Sequence, residues 1–167
     1  MSEDFVTCSC CGKLVPASNI ELSFRRPDEI AALEEPDINE RCKFNDDIYV
    51  LDEQRFFIRC TLPLPVHESA DHYAIGAWAE IGQTDFTRIW DLWEDENQSN
   101  LPAICGTLAN KVPLTMGSIN CAIEVKLTGP TTRPEIKVLD ELCSLYKEQT
   151  FGVTAHRASE YSGLVRR

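Results

Sequence analysis

The chain has 167 residues, 43% apolar and 26% charged, with 8 Gly and 9 Pro, a composition that fits one ordered globular domain over 1–167 and excludes a disordered chain. Sixteen Lys and Arg against 27 Asp and Glu leave a net charge of −11, which repels phosphate backbones and anionic headgroups and argues against nucleic acid and membrane surfaces as partners. No apolar run approaches the roughly 18 residues of a membrane span, and the opening MSEDFVT has neither a basic nor an apolar leader region, so a cytoplasmic protein is expected.

In chain order, residues 1–20 form a Cys-rich, knuckle-like segment holding Cys8, Cys10 and Cys11. RRPDEIAALEEP predicts a short helix: Pro27 suits its first turn, Asp28 and Glu29 favour its positive end, Pro36 stops it, and Ile30 and Leu33 anchor it. IYVLDEQRFFIRCTL holds two β-rich runs separated by Asp52, Glu53 and Gln54, a hairpin. The prolines of LPLPVHESAD exclude a central strand there. HYAIGAWAEI then alternates, with Tyr73, Ile75, Ala77, Ala79 and Ile81 on one face, Trp78 on the other, and Gly76 allowing close approach of another backbone.

TDFTRIWDLWED places Phe86, Ile89, Trp90 and Trp93 at i, i+3, i+4 and i+7, an amphipathic helix with Thr84 positioned to cap it. Strands follow in PAICGTLA, SINCAIEVKL and RPEIKVL, the last with Ile136 and Val138 inward. Two helices end the chain: DELCSLYKEQTF, capped by Asp140 and closed by Gly152, and a second starting at Thr154 with Ala158, Tyr161 and Val165 on one side. The expected fold class is α+β: a single domain built on a mainly antiparallel sheet, with one amphipathic helix packed on it and two C-terminal helices.

Among the eight cysteines, Cys42, Cys60, Cys105, Cys121 and Cys143 stand singly. In a reducing compartment a lone cysteine in an apolar strand reads as packing, as for Cys121 in the alternation from Ile119 to Leu127, and likewise for Cys60 and Cys105. Cys8 and Cys11 differ, because C-x-x-C-G aims two thiolates at one point while Gly12 permits the left-handed turn that brings N–H groups to sulfur. This is half of a Zn²⁺ site. No second C-x-x-C or H-x-x-H supplies the rest, so the further ligands come from Cys143, Cys42 or Cys10. Cys143 is preferred because Leu142 and Leu145 already provide the inward apolar positions of DELCS. Free thiols on the N-terminal segment, or a redox pair, are the alternative readings.

His67, Glu68, Asp71 and His72 crowd one polar loop that would make an acid/base or metal site if it folds back, but their spacing matches no metal or triad motif and exposed loop polarity is the preferred reading. Arg59 interrupts an apolar strand and, if buried, requires a carboxylate such as Asp46 or Asp47. With Asp47 and Trp78 it outlines a possible ligand pocket. By spacing Trp78, Trp90 and Trp93 are mostly core, although one at a groove would suit ligand or partner binding. The acidic runs at Glu29, Glu34, Glu35, Asp37 and Glu40, and at Asp91, Glu94, Asp95 and Glu96, are solvated helix faces that would attract a basic partner if they share a surface.

The order of motifs resembles a bacterial family catalogued as domain of unknown function 2199. The resemblance rests on F-x-x-C-x-x-C-G at Phe5, Cys8, Cys11 and Gly12; Asp47; F-F-I-R at 56–59; Pro65 and Val66; G-x-W at Gly76 and Trp78; G-x-L at Gly106 and Leu108; Arg133 and Pro134; and E-Q-x-x-G at Glu148, Gln149 and Gly152. It implies a bacterial origin and a shared fold, but no reaction. The family pattern commonly has His at the position of Cys143, and a His to Cys exchange keeps a zinc ligand. It often has Cys where Tyr49 stands, which removes any ligand on that strand.

Three functional readings follow. The first is a binding or interaction module tied at its N-terminus by Zn²⁺ through Cys8, Cys11 and Cys143. The second is an enzyme working at Asp47, Arg59 and Trp78 with His67 or His72 as acid and base, and the third an acidic, immunity-type protein that neutralises a basic partner.

Overall fold

Alternation of apolar residues with period 2 produces one sheet that curls until it closes. The structure, a computed structural model, describes residues 5–7, 12–16 and 21–165. A two-stranded antiparallel hairpin, β1 (Phe5–Thr7) and β2 (Leu14–Pro16), precedes two short helices, α1 (Asp28–Ala31) and α2 (Glu35–Arg41). Then come β3 (Cys42–Phe44), β4 (Ile48–Leu51), β5 (Arg55–Leu64), β6 (Tyr73–Ile81), α3 (Gln83–Leu92), β7 (Ile104–Leu108), β8 (Ala122–Lys126), β9 (Glu135–Val138), α4 (Ser144–Phe151) and α5 (Ala155–Gly163). Strands β3 to β9 form a seven-stranded sheet in sequence order, every neighbour antiparallel, and β9 returns to pair in parallel with β5 through Thr61 and Glu135. The segment from β5 to β9 is therefore a closed barrel, from which β4 and β3 extend as a flap beside the first half of β5. The α+β class and the two C-terminal helices are as the sequence predicts; barrel closure is additional.

Residue parity along β5 and β6 divides the molecule into two cores. Phe56, Ile58, Cys60, Leu62 and Leu64 stand opposite Ile81, Ala79, Ala77, Ile75 and Tyr73 inside the barrel. Phe56 at one mouth packs at a tilt against Phe86 of α3, and Tyr73 at the other meets Tyr161 of α5 at 6.1 Å between ring centres. The outward residues Phe57 and Trp78 build a smaller core with Ile30, Ile38, Cys42, Tyr49, Leu51 and Ala109, roofed by α1 and α2. The close approach anticipated at Gly76 is made by Ser23. A Cβ on Gly76 would lie 2.6 Å from the Ser23 Cβ, while Phe24 N–H donates to Gly76 O and Gly76 N–H to Leu22 O.

Several local expectations are corrected. Pro36 does not stop a helix but opens α2, since a proline in the first turn lacks only an N–H that would have no intrahelical partner. Pro63 lies within β5, paired with Ala74 of β6. Its carbonyl faces the opposite side and accepts from Gln149 Nε2, beyond the end of the β9 ladder, so the missing N–H costs no strand hydrogen bond. Gly82 and not Thr84 is the N-cap of α3, and α4 starts after Cys143, with Asp140 Oδ1 accepting instead from Leu142 N–H in the preceding turn. Cys105 is exposed, because β7 buries Ile104 and Leu108 and turns the intervening residue outward. Thr154 caps α5 by accepting from Arg157 N–H, as expected.

Candidate functional site

The predicted zinc ligands are placed only in part. Cys8, Cys10 and Cys11 lie outside the described residues. Cys143 is 1% exposed, and the premise for preferring it is reversed: Leu142 is 90% exposed and Cys143 occupies the inward position. Its thiol faces that of Cys121, and burial first, then this second sulfur, pushes the Cys121 thiol up to about 12. Cys42 is buried in the smaller core and its thiol is also raised by desolvation.

These thiols give the chain a testable alkaline limit. Cys121 holds its proton more tightly in the folded than in the unfolded chain, so the unfolded state ionises first on raising pH. The associated stability is complete below the ordinary thiol range, about 8.5, and is lost as pH rises from there towards 12. Burial also raises Cys60, adding in the same direction. Urea midpoints are expected to be flat around neutrality and to fall above about pH 9; an unchanged midpoint at pH 11 refutes this. Alkylation of native protein is expected to label Cys105 and spare Cys42, Cys60, Cys121 and Cys143.

Asp47, Arg59 and Trp78 lie close together, for Arg59 stands directly opposite Trp78 in the β5–β6 ladder and its backbone meets Asp47. Trp78 is fully buried in the smaller core, where its indole N–H donates to Phe24 O at 2.9 Å and Tyr49 packs edge-on against it, so it walls no pocket. Arg59 sits at the end of the β4 pairing. Its backbone N–H donates to Asp47 O, and its Nη1 to the Asp46 carbonyl at 3.3 Å, not to either carboxylate. Its Nε is buried without a hydrogen-bond partner. His67 lies against the C-terminus of α4, with Nε2 2.9 Å from Phe151 O, and His72 is in the exposed turn before β6. Glu68 Oε2 accepts from Ala155 N–H at the start of α5. His67 and Glu68 thus hold the loop to the α4–α5 junction.

The E-Q-x-x-G residues are likewise structural. Glu148 accepts from Arg157 Nε at 2.7 Å and from Tyr161 OH at 2.5 Å. Gln149 continues the sheet with its side chain, accepting from Val138 N–H and donating to the carbonyls of Ile136 and Pro63. Gly152, at φ +83°, leaves the helix where any Cβ would meet the His67 ring at 2.9 Å.

Among the described residues, one of several surface clefts combines tryptophan with acidic side chains. It has a volume of about 400 Å³ and lies between the β3–β4 turn and the end of α3, lined by Asn45, Asp47, Ile48, Trp90, Asp91, Trp93 and Glu94. Local sequence shapes both walls. Asn45 Oδ1 accepts from the N–H groups of Asp47 and Ile48, fixing the turn, and Gln98 Nε2 ties off the carbonyls of Leu92 and Trp93. Along α3, Phe86 and Ile89 pack onto the barrel, whereas Trp90 is 55% exposed. Spacing alone assigns Trp90 to the core; only its flanking acids, Asp91 and Glu94, signal that its side of the helix faces water. Among the described residues, Asp47, Asp91 and Glu94 take part in none of the ion pairs.

Comparison with known proteins gives a match to the family model described as an uncharacterised protein conserved in bacteria, domain of unknown function 2199, over residues 7–153. The chain belongs to this family. No curated protein matches it, and no solved structure does. Family membership thus brings a shared fold without an activity. The match spans β2 through α4 and ends before α5, although α5 supplies both partners of Glu148. Among the described residues, no helix is long and apolar enough to cross a membrane.

Proposed function

We propose that the protein is a binding module for a positively charged protein segment, which it engages at the cleft between the β3–β4 turn and α3. The supporting observation is a half-exposed tryptophan beside three carboxylates that form no ion pair among the described residues. A net charge of −11 steers such a partner towards the molecule over long range. Titration with a short Arg- and Lys-containing peptide, followed by tryptophan fluorescence, is expected to show binding that weakens at least tenfold from low to high salt. It should also weaken in a D91N/E94Q variant. Absence of binding, or binding indifferent to both salt and variant, overturns the reading.

We also propose, as an accessory element, that C-x-x-C-G forms a zinc-binding turn. Two observations support it: Gly12 has φ +71°, the left-handed geometry such a turn requires, and Thr7 pairs with Leu14, so strands β1 and β2 flank the C-x-x-C-G segment in sequence. Cys143 is the proposed third ligand because the family pattern commonly has His, another zinc ligand, at its position. Metal analysis of protein purified without chelator is expected to find one zinc per chain, lost in a C8S/C11S variant; no stoichiometric zinc in the parent protein removes the proposal.

A further inference from the structure

We infer that the group selected by the Trp90–Trp93 cleft is a guanidinium, so that the partner presents an arginine and not a lysine. This rests on the binding-module reading above and specifies its ligand chemistry.

The first observation is the distribution of charge. Asp47 comes from the β3–β4 turn, whereas Asp91 and Glu94 come from α3. Among the described residues no three of His, Cys, Asp and Glu converge as metal ligands do. A compact cation, whether a metal ion or an ammonium, gains most from donors gathered at one point. Carboxylates spread around a cleft suit a charge delocalised over a plane, with N–H groups that fork outward.

The second is the aromatic wall. Trp90 packs on Phe86 one turn earlier, with ring centres 6.3 Å apart and planes at 25°, and Phe86 packs on Phe56 at 4.9 Å. This row supports the indole from the side of the barrel mouth and leaves it half exposed. A flat, exposed ring is a stacking surface for a weakly hydrated guanidinium. Lysine, a strongly hydrated point charge, gains less from it.

The third is a local electrostatic cost. Asp91 lies in the last turn of α3, Glu94, Asp95 and Glu96 follow, and no basic residue occupies that turn. Acidic side chains at the negative end of a helix oppose the macrodipole and one another. Such an arrangement weakens the isolated domain and is relieved when a cation docks, as expected of a site whose electrostatics serve a ligand.

The experiment compares two otherwise identical short peptides, one carrying arginine and one lysine at every basic position, titrated into the full chain and read by calorimetry and tryptophan fluorescence. Tetramethylammonium and guanidinium chlorides serve as competitors at equal ionic strength. The arginine peptide is expected to bind at least tenfold more tightly. Trp90→Leu should bring its affinity down to that of the lysine peptide, and guanidinium should displace it at lower concentration than tetramethylammonium. Equal, salt-sensitive binding of both peptides overturns the guanidinium assignment while leaving the module reading intact. More effective competition by tetramethylammonium also overturns it, in favour of an alkylated ammonium. Binding of neither peptide overturns the module reading and this inference with it. Because Trp90 is half exposed, Trp90→Leu should fold, and its circular dichroism and urea midpoint verify that. Asp91→Lys provides a second check: it is expected to abolish arginine-peptide binding while raising the urea midpoint. A lowered midpoint overturns the claimed electrostatic cost.

Discussion

Replacing Glu148 by alanine is expected to destabilise the protein by about 3 kcal/mol, the low end of the range for removing one partner of a buried ion pair. Glu148 is 16% exposed and Arg157 24%. Removing the carboxylate leaves Arg157 with Glu160 at 3.8 Å as its remaining acidic partner. The Tyr161 hydroxyl, on a fully buried side chain, keeps only the longer contact from Arg157 Nη2 at 3.3 Å. Arg157 also donates to Leu114 O at 2.6 Å, holding a residue with φ +65° in the β7–β8 connection, so the loss should spread into that loop. Glu148→Gln retains an acceptor for Tyr161 but not the charge, and is expected to cost about half as much. Urea unfolding of both variants tests this ordering. Equal stability of Glu148→Ala and the parent protein would mean that the cluster does not hold α4 and α5 together.

The sequence was most informative where a short-range rule acts alone. The alternation in 73–81 assigned the inward face of β6 correctly, Gly76 marked the crossing of Ser23, and Thr154 and Gly152 marked helix ends by capping chemistry. It was least informative where a distant partner decides. Whether Pro63 can occupy a strand depends on which edge of β5 is unpaired at that point, and this follows from where β9 returns. Likewise Leu142 and Cys143 are adjacent and both apolar, and the choice of which turns inward is made by Cys121 and the Gly117 backbone, which packs on Cys143. The Asp47, Arg59 and Trp78 group shows the same dependence. The β5–β6 register sets Arg59 opposite Trp78, and the cover of α1 and α2, which the sequence does not announce, buries the indole. The tryptophan that does reach a cleft, Trp90, was hidden within a helical pattern that also contains genuine core residues.

Two alanine substitutions separate the structural tryptophan from the one proposed to bind. Trp78→Ala is expected to cost about 3–5 kcal/mol, the range for deleting a fully buried large aromatic. It empties the centre of the smaller core, removes the edge-on packing with Tyr49, and leaves Phe24 O without the indole donor that holds 22–24 against β6. Trp78→Phe restores most of the volume but not the N–H, and should cost about 1–2 kcal/mol, the penalty of one unsatisfied buried acceptor with a small residual void. Trp90→Ala, by contrast, deletes a side chain that is 55% exposed and sacrifices little beyond its stacking on Phe86, about 1 kcal/mol. Thermal melts should therefore drop sharply for Trp78→Ala and slightly for Trp90→Ala, while arginine-peptide binding per folded molecule behaves in the opposite order. If Trp90→Ala binds as tightly as the parent protein, the cleft is not the recognition surface. If it unfolds as readily as Trp78→Ala, the aromatic row from Phe56 through Phe86 to Trp90 seals the barrel mouth, and the exposed indole face is a by-product of that seal.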